Sequence, residues 1–170
     1  MSDRAAAGGQ PPAIAAWVEA DRHTDLAVMA EQLSPDAVLV SPLTDAFRFE
    51  GRPAVMGVFE AAFEPLRDIE IVRVTGAGDD GVVHGQQTLA GENLEEVQWL
   101  RLGPDGLIAE VTLFIRPLPA VARMLSVIGP GLADRGVLPP QAGVASKAAA
   151  PLALITGLVE RHVMPRVGPR

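Results

Sequence analysis

The side chains able to do chemistry are few, and their types exclude more than they suggest. No cysteine occurs among the 170 residues, which removes thiol nucleophiles, thiolate metal sites, iron–sulfur ligation and disulfides together. His23, His84 and His162 are far apart, and none has a companion at the spacing that metal ligands adopt on a helix or strand, so no metal is expected. Ser41 stands before Pro42 with no histidine and acid arranged to activate it; it reads as a turn residue rather than a nucleophile. Trp17, Gln87 and Gln98 carry hydrogen-bonding groups within apolar patterns, and their N–H groups can donate to a bound carbonyl. Glu96 lies in a strand-like run near a turn. A carboxyl there becomes a base near neutral pH if desolvation raises its pKa, which makes it the candidate catalytic group.

The elements that must hold these residues follow from the hydrophobic period. Ile14, Trp17 and Val18, then Leu26, Met29, Ala30 and Leu33, recur at helical spacing, with Asp21, His23 and Thr24 marking a break; this predicts helices over about 12–22 and 24–33. Ala37–Val40 reads as a short strand closed by Ser41-Pro42. Gly51-Arg52-Pro53 opens a helix with Val55, Met56, Phe59, Ala62 and Phe63 on one side, and Pro65 ends it. The period then changes to two. Strands are predicted at 69–75, 82–89, 94–102 and 107–116, separated by Gly-Asp-Asp-Gly, Ala-Gly-Glu-Asn and Gly-Pro-Asp-Gly, which makes an antiparallel meander. Pro117–Ile128 reads as a further helix, a Pro/Gly-rich linker follows to Gly143, and Ser146–His162 reads as a final apolar helix. Helices followed by a long meander give an α+β plan in which the opening helices cover one sheet face.

Composition sets the class. With 48% hydrophobic residues and a net charge of −7, the chain suits one domain with a single core. An isoelectric point near 4.9 leaves no basic footprint for a phosphate backbone, so nucleic acid is not an expected partner. Residues 1–11 read as a disordered lead without a signal-peptide pattern, and the cysteine-free composition fits a reducing compartment; the cytoplasm is the expected location. The best apolar run, Ala148–Val159, is 12 residues long and contains Pro151 and Gly157, so no transmembrane segment is expected. A helix that is apolar nearly all round must still be covered, by the mouth of its own pocket, a partner subunit or a membrane surface. Residues 1–117 hold 19 acids and 8 bases, whereas 118–170 hold 2 acids and 6 bases. That contrast favours docking on protein, while Arg161, Arg166 and Arg170 keep the membrane surface open.

The order helix, helix, short strand, helix and curved meander resembles the nuclear transport factor 2-like superfamily, which includes ketosteroid isomerases, limonene epoxide hydrolases and SnoaL-like polyketide cyclases. The resemblance covers roughly residues 12–120. It rests on Trp17-Val18 followed by Thr24-Asp25-Leu26, on Pro35-Asp36-Ala37-Val38 leading to Ser41-Pro42, on Phe49-Glu50-Gly51-Arg52-Pro53-Ala54-Val55, and on Asp105-Gly106-Leu107-Ile108-Ala109-Glu110. It implies a cystatin-like cone: a curved antiparallel sheet wrapped around an apolar pocket and closed by the helices, at about 12–130, with 131–170 added as linker and C-terminal helix. The other sheet face commonly forms a dimer interface in that superfamily.

Carried over residue by residue, the resemblance turns Val83, Gly85, Gln87, Leu89, Glu96, Gln98, Leu100, Ala109, Val111, Leu113 and Ile115 toward the pocket. It turns His84, Gln86, Val97, Trp99, Arg101, Glu110, Thr112 and Phe114 outward. Apolar Val97, Trp99 and Phe114 on that side imply a homodimer through the outer face. The isomerase positions are substituted: Trp17 stands for a first-helix tyrosine, Ser41 for the proton-shuttling aspartate, Gln98 for the oxyanion-hole acid, and Leu113 for an acid used elsewhere in the superfamily. The expected site is a pocket for a small apolar molecule, bound by Trp17, Ser41, Met56, Phe59, Gln87, Gln98, Val111 and Leu113, with no cofactor. The functions implied are a cofactor-free isomerase, cyclase or hydrolase, or else a non-catalytic ligand-binding or assembly module.

Overall fold

The computed structural model describes residues 10–167 and 169; most of the expected disordered lead, residues 1–9, lies outside the described residues. Two helices open the chain, α1 (Pro12–Arg22) and α2 (Leu26–Gln32). Between them Thr24 takes a positive φ of 52°, and the Asp25 carboxylate caps α2 by accepting from the Val28 N–H at 3.1 Å. Next come β1 (Leu33–Val40), the two-residue β2 (Phe49–Glu50) and α3 (Arg52–Phe63). Gly51, at φ 86°, makes the turn into α3 that a side chain would strain. Its N–H donates to the Ala37 carbonyl at 2.8 Å, and the Arg52 guanidinium donates to the Leu33 carbonyl, so the start of α3 is tied to the first residue and the middle of β1.

The meander is β3 (Leu66–Ala77), β4 (Asp80–Leu89), β5 (Glu92–Leu102) and β6 (Ile108–Arg116). The sheet order is β2-β1-β6-β5-β4-β3. The four meander strands are antiparallel as expected, but β1 joins the far side of β6 in parallel, so the sheet is mixed rather than antiparallel throughout. That junction is secured by the Gly-Pro-Asp-Gly turn. Asp105 accepts from the Leu107 N–H at 3.1 Å and from the Ser34 hydroxyl at 2.9 Å, and these bonds hold its carboxyl below the usual aspartate range. Burial alternates along the strands much as period two requires: Val83, Leu89, Gln98, Leu100, Val111 and Leu113 are buried, while Trp99 and Phe114 are exposed. Ala109 departs from the expected face. Arg101 pairs with Glu110 and Leu102 with Ile108, so Ala109 is the extra residue of a bulge and Ile108 takes the buried place.

The largest difference from the sequence reading is at the C-terminal end. Helix α4 (Leu118–Asp134) does not stop at Ile128, and α5 (Gln141–His162) begins before Ser146, so the expected linker shrinks to a short connection. Gly129-Pro130-Gly131 looks like a breaker but lies inside α4, because the glycines make room for neighbours. A Cβ on Gly129 would overlap the Ser146 hydroxyl and stand 2.8 Å from the Ala142 carbonyl oxygen of α5. Beyond the helix end, Arg135 pairs with Glu60 of α3 and with Glu64 just past its end, fixing α4 against α3. A short α6 (Met164–Val167) closes the described chain.

Candidate functional site

Helices α3, α4 and α5 and the inner face of the sheet enclose a cavity of about 520 Å³. Its wall is almost entirely apolar, from Phe59 and Leu66 on one side to Ile115 and Ile128 on the other. Among the described residues, its ionisable lining groups are Asp21 and Glu96, with no basic side chain facing them. Carboxyls placed in such a wall are pushed toward their protonated form, because burial removes the solvent that would support their charge.

The polar patch is built by two elements. On β5, Glu96 and Gln98 are two residues apart and so share the inner face; Gly85 of β4 stands opposite Glu96 and puts no side chain there. On α1, Trp17 and Asp21 are one turn apart and project from the same helix face into the molecule. The Trp17 indole N–H donates to Gln98 Oε1 at 2.8 Å. With its oxygen occupied, Gln98 turns its Nε2 toward both carboxyls, donating to Asp21 Oδ2 at 2.9 Å and to Glu96 Oε1 at 2.8 Å. Gln87 of β4 donates to the other Glu96 oxygen at 3.3 Å. Burial pushes the Glu96 carboxyl up to about 7, with the Asp21 charge adding to the rise and the Gln98 and Gln87 donors opposing it. Burial likewise lifts Asp21 to about 6, against the Gln98 hydrogen bond and the nearby Arg22 charge. Both carboxyls can therefore exchange protons near neutral pH.

Ser41, Phe59, Gln87, Glu96 and Leu113 line the cavity, whereas Trp17, Met56, Gln98 and Val111 do not. Trp17 is fully buried and sits behind Phe59, ring edge to ring face at 5.1 Å, so its N–H orients Gln98 instead of meeting a ligand. Met56 and Val111 are core residues. Gln98 is likewise covered, its amide occupied by three partners. Ser41 accepts from the Leu43 N–H at 3.1 Å, which makes its hydroxyl a turn cap on the cavity wall. Asp21 was missed in the sequence because it stands at a helix break; its spacing of four from Trp17 on the apolar stripe was the available signal. Part of the lining from α4 and α5, including Leu132 and Ala142, lay where a linker was expected. Among the described residues no cluster of three or more His, Asp and Glu side chains could hold a metal.

Residues 14–111 match the family model of the SnoaL-like domain. The chain belongs to the SnoaL-like domain family. Similar solved structures include a steroid delta-isomerase from Pseudomonas aeruginosa, 22% identical over 74% of this chain and 93% of that one, with a TM-score of 0.67. A cystatin-like protein from Silicibacter pomeroyi DSS-3, described as uncharacterized and conserved in bacteria, is 20% identical over 82% of this chain and 96% of that one, also at 0.67. An NTF2-like protein of unknown function from Mesorhizobium loti is 19% identical over 69% and 97%, at 0.55. At these identities the likeness is one of fold. No curated protein matches the chain.

Proposed function

We propose that this SnoaL-like domain binds a small, mostly apolar molecule in the cavity and exchanges a proton with it through the Glu96–Asp21 pair. The reaction class is a cofactor-free isomerase, cyclase or hydrolase step. One observation carries the reading: a single amide, Gln98 Nε2, bridges two carboxyls, and among the described residues no cation lines the cavity wall. Two such groups do not both ionise readily, so the pair titrates as a unit around neutrality and can hold one proton. Glu96, which opens on the cavity, is the group placed to give or take it, and Asp21 tunes it. Ser41 lacks the basicity to take a proton from carbon, so a steroid-isomerase-like reaction in this chain would have to use Glu96 from β5 rather than residue 41.

A homodimer through the outer sheet face accompanies the proposal. Trp99 and Phe114 are exposed by 44% and 54% on that face, and Phe114 pairs with Val97 across the strands, an apolar patch, edged by the Arg101–Glu110 and Arg116–Glu95 ion pairs, suited to a second copy.

The test is extraction of small molecules from the purified, denatured protein with identification by mass spectrometry, followed by turnover assays on what is found. A stoichiometric apolar molecule is expected, and Glu96→Gln should retain its binding while losing turnover by about a hundredfold or more. Turnover unchanged in Glu96→Gln would remove the proton-exchange role and leave a ligand-binding module.

A further inference from the structure

The C-terminal helix is built inside out. Ala142, Ser146, Ala149, Ala153 and Gly157 recur at helical spacing, and the side that packs on the body is the small-residue side: Ser146 and Ala153 are its buried members. The large apolar residues point away, with Val144, Ile155 and Leu158 exposed by 71%, 59% and 57%. A helix of a soluble domain ordinarily turns its large apolar stripe inward. Here 22 residues carry a window of mean hydropathy 1.5 of which 11% is buried. Val163, Met164 and Val167 continue the exposed apolar surface through α6. A continuous apolar surface of this kind marks a docking site.

Charge selects the occupant. Lys147 and Arg166 are exposed along this surface with one acid, Glu160, between them, and Arg161, also exposed, pairs with Glu92 of β5 at 3.7 Å, whereas residues 1–117 hold 19 acids and 8 bases. The docking on protein that the charge contrast favours is realised within the chain, at Arg161 and Glu92, and a second copy laid along the same face would set Lys147 and Arg166 against their own equivalents, which opposes self-association. An anionic lipid surface attracts this helix and repels the acidic body, so the two fields together orient the molecule with α5 and α6 down. The first turns of the same helix form part of the cavity wall through Gln141, Ala142 and Ser146, which puts the apolar cavity beside the apolar surface.

We propose that α5 and α6 dock this protein on an anionic lipid surface, lying in the headgroup boundary with Ile155 and Leu158 inserted. The inference goes beyond the proposed function and stands apart from it, because lipid docking needs neither a ligand nor a reaction.

Vesicle flotation of the full-length chain tests it, with phosphatidylcholine vesicles that contain or lack phosphatidylglycerol. Binding to the anionic vesicles is expected to exceed binding to the neutral ones by about tenfold, and to weaken in high salt. Ile155→Asp combined with Leu158→Asp should abolish flotation while leaving the melting temperature unchanged, since both side chains are exposed. Lys147→Gln with Arg166→Gln should weaken it severalfold. Absence of flotation with anionic vesicles, or equal flotation with neutral ones, would overturn the proposal. So would a concentration-dependent dimer, without vesicle binding, that the Ile155/Leu158 pair of substitutions dissolves, since the face would then belong to a second copy.

Discussion

Gln98 is the residue on which the polar patch turns, since one side chain receives the Trp17 N–H and supplies both carboxyls. Removing the donor that orients it has a calculable cost. Trp17→Phe leaves the buried Gln98 carbonyl oxygen without its partner, and a loss of about 1–3 kcal/mol is expected in urea unfolding; unchanged stability would contradict the network. Glu96 carries a pH signature with a definite sign. Its carboxyl sits at about 7 in the folded chain against an ordinary value of 4.5, so the folded state holds the proton more tightly. The associated stability is complete below the ordinary value and is lost as pH rises through about 7. Glu96→Gln cannot suffer that loss, and its stability relative to wild type should rise by about 1–3 kcal/mol between roughly pH 5 and pH 8. A pH-independent difference in denaturation experiments would contradict the burial of this carboxyl. At this scale the sequence was informative where period two governs: Glu96 and Gln98 come out on one face because alternation along one strand allows nothing else, and Gln87, on the neighbouring strand, was set beside them by the family resemblance. Asp21 did not, because a polar residue ahead of His23 and Thr24 reads as a helix ending, and only the fold shows it buried beneath the sheet.

The α4–α5 pair is the element whose packing decides the cavity's shape. Gly129 is the contact point, and a side chain there would meet the Ser146 hydroxyl and the Ala142 backbone. Gly129→Val should force α5 off α4, costing about 1–3 kcal/mol as an overpacked contact does, and should weaken binding of the extracted ligand; a melting temperature equal to wild type would show that the helices do not meet as described. The same contact explains what the sequence concealed. Gly-Pro-Gly is a strong local breaker, but close helix approach needs residues without side chains, and that requirement comes from the partner helix, which the local pattern does not contain. The early part of the chain shows a similar limit. Leu33 continues the helical period and so reads as the end of the second helix, yet it is the first residue of β1, where pairing with Ile108 overrides local preference. The meander was legible because its turns and its alternation are both local.

Among the described residues, the chain has a covered inner sheet face and two exposed apolar surfaces, a patch around Trp99 and Phe114 on the outer sheet and the outer side of α5. The outer sheet is the proposed homodimer face. Sedimentation at micromolar concentration is expected to give a dimer, and Trp99→Glu should dissociate it, since a charge placed in the centre of an apolar interface is not compensated; a wild-type monomer would contradict this. The order of elements made the superfamily readable across residues 12–120, since a cone needs helices first and a meander afterwards to close over them. The parallel docking of β1 beside β6, and the helical cover beyond residue 118, depend on contacts between distant segments, and no local period announces those. The central claim for the whole is that the cavity holds a carboxyl poised to exchange a proton near neutral pH. The most direct measurement is the carbon-13 titration of the Glu96 carboxyl in the intact protein. A midpoint of about 7 is expected, falling in Asp21→Asn because the Asp21 charge helps to raise it. A midpoint in the ordinary glutamate range, indifferent to Asp21→Asn, would contradict the account.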